Sequence, residues 1–174
     1  MSLLVWTGVL PSPYEPGFSS PNDDATPVVQ PCPPADAVTA ELTSFSVNVY
    51  NGTETAGLAG TVADELSDSG LTVANTADWP RGSYDGDIQL TTSTAGLANA
   101  YTLAQIFTGT VIVQIDETQD PADPTVSVVL GEGYKDGILS SAEIGILRGG
   151  EPITAPTGCA APTTAATEAP ATSG

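Results

Sequence analysis

The sequence predicts an α+β fold, an α/β two-layer arrangement of one mixed sheet and two helices. Period-two alternation of apolar residues indicates about five strands, and apolar residues at helical spacing indicate two helices. The letters Thr-Ala-Gly-Leu-Ala occur at 55–59 and again at 94–98, each time after a strand and at the start of a helix. The chain is therefore expected to contain two β-α-β units, which form one sheet with both helices on one face.

The first unit covers residues 45–74. Alternation predicts a strand at 45–50, and helical spacing predicts a helix at 57–69 that ends before Gly70. Residues 71–74 form the second strand. Proline and glycine place a loop at 75–87, which would make antiparallel neighbours of the second and third strands.

The second unit repeats the pattern and adds a last strand. A strand at 88–92 is followed by Ser or Thr at 93–94, which can cap a helix with an apolar stripe from 97 to 107. Strands follow at 111–115 and 125–130. A serine pair further on predicts a capped short helix at residues 140–148.

The repeated pentapeptide carries no recognised ligand-binding pattern. Neither copy fits the glycine spacing of a dinucleotide-binding or Walker loop, and neither contains lysine or arginine. The small residues are interpreted as a folding element that lets each helix approach the sheet closely.

Composition divides the chain into four parts. Residues 1–10 are an apolar segment, either the remnant of a membrane anchor or a loose segment, and are shorter than the ~20 residues of a bilayer span. Residues 11–43 form a proline-rich linker, and 44–150 form the α/β domain. Residues 151–174, rich in Ala, Thr and Pro, are predicted to be a disordered tail.

The charge and the missing residue types restrict the function. With 3 basic and 21 acidic residues, the formal charge is −18, which excludes nucleic acid as a partner. The chain has no histidine, so a His-assisted nucleophile and a His-ligated zinc are excluded, and we expect no cofactor or metal. Cys32 and Cys159 bracket the folded region and favour a disulfide in an oxidising compartment, with two unrelated thiols as the alternative.

Acidic side chains concentrate in residues 116–123, where Asp116, Glu117, Asp120 and Asp123 lie. Carboxylates in a loop can bind Ca²⁺, but the EF-hand spacing is absent. We interpret the run as a solvated hairpin loop between two strands. A glycan-cleaving enzyme would need two of these acids with pKa values pushed apart.

Aromatic and basic side chains concentrate in the 75–87 loop. Trp79 and Tyr84 flank Arg81, one of the three basic residues. Such a group can stack on sugar rings or anchor a partner, so these three residues are the candidate ligand-binding site. The alternative is a loop whose aromatics fold back on the sheet edge. Asn51-Gly52-Thr53 is a glycosylation sequon by its letters alone.

Four motifs together resemble a known family. They are the Val-Asn-Val-Tyr-Asn-Gly at 47–52, the Ala-Gly-Leu-Ala at 56–59, the Gly-Leu-Thr-Val at 70–73, and the strand at 126–130 that ends in Leu-Gly-x-Gly-aromatic at 130–134. They resemble the LytR C-terminal-type domain of actinobacterial cell-envelope proteins over about residues 44–136. The arrangement is most similar to members that support envelope integrity and lack a preceding LytR–CpsA–Psr catalytic domain.

The resemblance implies a non-catalytic, extracytoplasmic domain of a membrane protein held by a single N-terminal anchor. Its partner would be cell-wall glycan, a polyprenyl-phosphate lipid carrier or an envelope membrane protein. The alternatives are the carboxylate enzyme and a structural module whose sheet edge pairs with another protein.

Overall fold

The computed structural model describes residues 28–135 and 137–161, which contain five strands and three α-helices. The predicted anchor at 1–10 and the end of the predicted tail lie outside these residues. The elements are β1 (Ser46–Asn51), α1 (Leu58–Asp68), β2 (Thr72–Asp78), β3 (Ile88–Thr92), α2 (Leu97–Ala104), β4 (Val111–Ile115), β5 (Val126–Leu130) and α3 (Ser141–Ile144).

The five strands form one mixed sheet in the order β2-β1-β5-β3-β4. β1 is parallel to β2 and β3 is parallel to β4, so both predicted β-α-β units are confirmed. β5 joins the units, parallel to β1 and antiparallel to β3. The predicted pairing of the second and third strands is therefore wrong. β5 is almost wholly apolar and occupies the centre, whereas polar β2 lies at an edge, where water solvates its side chains.

One face of the sheet carries the core. Val49, Val128, Leu90 and Val113 are register partners across β1, β5, β3 and β4, and each is at most 1% exposed. Both α1 and α2 contribute buried side chains to the same core cluster as this face. Because paired residues point to the same side of a sheet, the two helices cover one face, as predicted.

The two copies of the pentapeptide place leucine at the first residue of α1 and of α2. Their glycines serve different purposes. Gly57 adopts the left-handed φ of 80°, and nothing lies within 4 Å of the position of a Cβ there. Gly96 has φ of −90°, and a Cβ there would overlap the Oγ1 of buried Thr92. The close approach expected of both copies therefore occurs only at Gly96.

Element ends differ from the predictions where tertiary pairing decides them. β2 extends through Asp78 into the predicted loop, because it pairs with β1 along its whole length. α2 ends at Ala104, before the end of its predicted stripe, and Phe107 is buried beyond it. The short helix α3 is present but ends at Ile144, before its predicted end at residue 148. Ser140 and Glu143 form a reciprocal capping box at its start.

The described segments on either side of the sheet pair with each other. Pro31 forms a parallel bridge with Ala160, and Val38 forms an antiparallel bridge with Pro152. Cys32 and Cys159 form the predicted disulfide, with their Cα atoms 4.9 Å apart. We call residues 28–41 and 148–161 the clasp. These residues fall within segments that the sequence assigns largely to linker and tail, yet they make sheet-like hydrogen bonds.

The clasp is attached to the second β-α-β unit. The phenol of Tyr101 on α2 donates to the carbonyl oxygen of Pro31. The backbone N of Ala40 donates to Thr102 Oγ1 over 2.9 Å. The N–H of Val113, on β4, donates to Gln30 Oε1 over 2.9 Å. Side chains therefore supply the contacts that attach the clasp to the second unit.

Candidate functional site

The loop between β2 and β3 crosses the carboxyl ends of β1 and β5. The N–H of Trp79 donates to Asn51 O, and the N–H of Tyr84 donates to Gly52 O, both over 2.8 Å. On the far side, the N–H of Glu132 donates to Tyr84 O, also over 2.8 Å. Since β1 and β5 are parallel, their ends share one edge, and the loop is hydrogen-bonded to both chains that leave that edge.

Three predicted site residues lie together in this loop. The rings of Trp79 and Tyr84 meet edge to face, with centroids 6.0 Å apart and an interplanar angle of 75°. Arg81 Cζ lies 6.0 Å from the Trp79 ring centroid, within cation–π range. The two aromatic side chains are half-buried and Arg81 is exposed. We call these three residues the aromatic cluster; its binding role remains a prediction.

The family-like Leu-Gly-x-Gly ending supports this cluster. A Cβ on Gly131 would lie 2.5 Å from Tyr84 Cδ1 and would overlap the carbonyl oxygen of Gly86. A larger residue at 131 would therefore displace the tyrosine ring and the loop. Sequence reasoning treated this motif as a fold signature only. Its contact with Tyr84 depends on strand order, which the sequence does not reveal.

Tyr84 is held as a neutral hydrogen-bonding group. Burial raises its pKa above the ordinary value of 10.0, and the negative charge of Asp87 raises it further. Asp87 is itself anchored, because its Oδ2 accepts the N–H of Thr110 over 3.0 Å. At neutral pH the phenol is thus protonated and able to donate to a ligand oxygen.

The sequon asparagine is part of the turn beneath the loop. Asn51 is 6% exposed, and its Nδ2 donates to Thr55 O over 2.8 Å. Its Oδ1 accepts the N–H and the hydroxyl of Thr53 over 3.0 and 2.8 Å. A glycan on Nδ2 would require this turn to open, so the folded sequon is not an acceptor.

The acidic residues 116–123 cap their own turns. Asp116, Asp120 and Asp123 each accept a backbone N–H two residues ahead, at 2.9 Å in each case. The segment is not the predicted hairpin, because β3 lies between β4 and β5 in the sheet. Among the described residues, no group of three or more potential ligands is placed to hold a metal ion.

The pKa shifts of two acids in this segment also argue against a catalytic carboxylate pair. Hydrogen bonds from the side chain and backbone of Thr118 lower the pKa of Asp116, and the charge of Arg81 adds a smaller decrease. Hydrogen bonds from Thr125 lower the pKa of Asp123. A carboxylate pair for glycan hydrolysis needs one acid with a raised pKa, and neither of these two has it.

A wide groove of about 930 Å³ opens beside this segment. Its walls are the acidic loop, the turn at 93–95 that opens α2, the end of β4 and the clasp. The lining residues are Val29, Pro31, Ser93, Thr94, Ala95, Gln114, Ile115, Asp116, Glu117, Gln119, Pro121, Ala160 and Ala161. We call it the acidic groove. Sequence reasoning missed it, because four segments distant in sequence form it.

The fold and the loop on its Leu-Gly-x-Gly framework define a small, two-layer α+β domain of the LytR C-terminal type. The family described as LytR cell envelope-related transcriptional attenuator matches residues 44–134, more than half of the chain. The chain belongs to this family, and the resemblance inferred from its motifs is confirmed. No curated protein matches the sequence.

A solved structure shares the fold. It is the soluble domain of a conserved hypothetical secreted protein, an Rv2700 orthologue, from Mycobacterium marinum. The two chains are 25% identical, and the match covers 69% of this chain and 84% of that one with a TM-score of 0.54. In the part of this chain that the structure describes, no helix has the length and apolar character of a membrane span.

Proposed function

We propose that this protein is a non-catalytic, extracytoplasmic domain of the actinobacterial cell envelope that supports envelope integrity by binding wall glycan at the aromatic cluster. The family membership and the secreted mycobacterial structure support the location. The observation that carries the binding role is the convergence of Trp79, Arg81 and Tyr84 in one loop. In the full-length protein, an N-terminal membrane anchor would hold the domain near the wall.

Glycan suits this cluster better than the alternatives. Half-buried indole and phenol rings offer flat apolar faces for sugar rings, while Arg81 and the Tyr84 hydroxyl supply donors for sugar oxygens. A polyprenyl phosphate is anionic, and a chain of formal charge −18 repels it over most of the surface. If the partner were an envelope membrane protein instead, the aromatic cluster would not bind glycan.

The first prediction concerns glycan binding. Titration of ¹⁵N-labelled full-length chain with soluble wall glycan fragments should shift amides of residues 79–87 and 131–134. Trp79→Ala should weaken binding at least about tenfold, equivalent to about 1.4 kcal/mol, because the stacking surface is lost. Thermal unfolding should change little, since Trp79 lies in a loop and is not part of the core cluster.

A charge-matched pair of variants provides the control. Arg81→Ala and Arg148→Ala remove the same charge from exposed positions, but only Arg81 contacts the cluster. Arg81→Ala should weaken binding and Arg148→Ala should not. Shifts with polyprenyl phosphate alone would assign the cluster to the lipid carrier. No shifts with either ligand would contradict the proposal and point to a protein partner.

A further inference from the structure

We propose a second binding site, in addition to the aromatic cluster: the acidic groove takes up an extended, positively charged peptide segment, which adds as a strand to the free edge of β4. Two observations support this proposal. They are the outward-facing backbone of β4 in the groove and the carboxylates that line it.

The direction of the β4 backbone follows from its hydrogen bonds. β4 ends the strand order, so β3 is its one neighbour among the strands that the structure describes. Asp116 N donates to Thr92 O over 2.8 Å, at the end of β3. Backbone hydrogen-bonding groups alternate in direction along a strand. The N–H and C=O groups of Ile115 and Val113 therefore point away from β3. The bond from Val113 N to Gln30 Oε1, outside the sheet, agrees with this direction.

Part of the free edge lies in the groove. At Val113, the Gln30 side chain occupies the position that a neighbouring strand's carbonyl would take. At Ile115, which lines the groove, no other described residue bonds the outward N–H or C=O. An unpaired strand edge is a template for another chain. A peptide backbone can therefore pair with β4 at Ile115, next to the position where the Gln30 side chain bonds Val113.

The charge of the groove selects the peptide. Asp116 and Glu117 line it, and hydrogen bonds from Thr118 favour the ionised form of Asp116. None of the three basic residues of the chain (Arg81, Lys135 and Arg148) is among the lining residues. A second copy of the same acidic chain is consequently a poor occupant, as are anionic lipids. The ligand that complements this lining carries ammonium or guanidinium groups.

The groove is also apolar on one side and firmly built. Val29, Pro31 and the alanines at 160–161 form the clasp wall, which suits the apolar side chains that alternate with charged ones on a strand. On the other side, Ser93 Oγ donates to Asp123 O at 2.5 Å and ties the acidic loop to the turn before α2. Walls fixed in advance lower the ordering cost of binding.

The test uses the full chain and an acetylated, amidated hexapeptide of alternating valine and lysine, with a valine–glutamate peptide as its charge-reversed control. The lysine peptide should shift amides at 93–95 and 113–117 and slow hydrogen exchange at Ile115 N–H. Asp116→Asn with Glu117→Gln should weaken binding at least about fivefold. Asp64→Asn with Glu65→Gln, which removes two exposed charges from α1, should not weaken it.

Several outcomes would overturn the proposal. Equal affinity for the two peptides would remove charge selection, and shifts without exchange protection at Ile115 would remove strand addition. Protection of Ile115 in the free, dilute protein would assign the edge to the chain's own terminal segments, and protection that grows with concentration would assign it to a second copy. Trp79→Ala should bind the peptide normally, so a failure of the glycan proposal is distinguishable from a failure here.

Discussion

At the scale of single residues, Tyr101 connects the core to the clasp. Its ring is 8% exposed, and its hydroxyl donates to Pro31 O. Burial raises its pKa from 10.0 to about 12. A raised folded-state pKa stabilises the fold fully below the unfolded value, and this stabilisation is lost as pH rises through the folded value. The relevant window therefore runs from pH 10.0 to about 12.

The stability of the protein should fall across that window, and Tyr101→Phe should make the fall shallower. The variant should also lose about 1 kcal/mol near neutral pH, because Pro31 O loses its donor. Denaturant unfolding followed by circular dichroism at a series of alkaline pH values measures both effects. Tyr84 should account for part of the remaining slope, since its pKa is raised as well. An unchanged slope in the variant would contradict this account of Tyr101.

At the scale of elements, the repeated pentapeptide shows that one sequence motif can meet two structural demands. Gly57 needs a left-handed backbone, whereas Gly96 needs an absent side chain. Asparagine tolerates the left-handed region and is a good N-cap residue, so Gly57→Asn should change stability little. Gly96→Ala should cost about 1–3 kcal/mol, because buried Thr92 already donates to Thr125 O and has little freedom to move.

Thermal unfolding of the two glycine variants measures this difference. A Gly57→Ala variant serves as the control, with an expected cost of about 1 kcal/mol from strained backbone alone. If Gly57→Asn and Gly96→Ala were equally stable, the two glycines would not have the separate purposes assigned to them.

Among the secondary-structure elements, local sequence patterns predict some features and not others. Both β-α-β units and the α3 cap were predictable, because alternation, helical spacing and capping residues act over a few positions. The position of β5 and the length of β2 were not. Strand order depends on contacts between residues distant in sequence, and exposed edge residues such as those of β2 show no alternation.

At the scale of the whole molecule, the candidate sites differ in how far the sequence reveals them. The aromatic cluster was predictable, because Trp79, Arg81 and Tyr84 are scarce residue types within one short loop. The acidic groove was not, since the clasp, the turn at 93–95 and the acidic loop meet only in the folded chain. The clasp was not predicted, because a high proline content is typical of a linker.

The disulfide should contribute a large share of the stability of the whole domain. It closes a loop with a sequence separation of 127, which corresponds to about 5 kcal/mol in the chain-entropy account. Cys32→Ser with Cys159→Ser should therefore lower the melting temperature markedly, as calorimetry would show. Labelled protein should also show changed amide signals along the groove wall at 29–31 and 160–161. Unchanged melting would mean that the hydrogen bonds of the clasp suffice.

The position of the disulfide also determines how the domain would respond to mechanical load. Cys32 and Cys159 lie near the two ends of the part of the chain that the structure describes, with their Cα atoms 4.9 Å apart. A pulling force applied to the two outer ends would pass through the sulfur–sulfur bond and bypass the sheet. The domain would thus stay folded under a tension that separates the strands of a sheet without such a disulfide. The force would reach the strands only after a reductant had cleaved the disulfide.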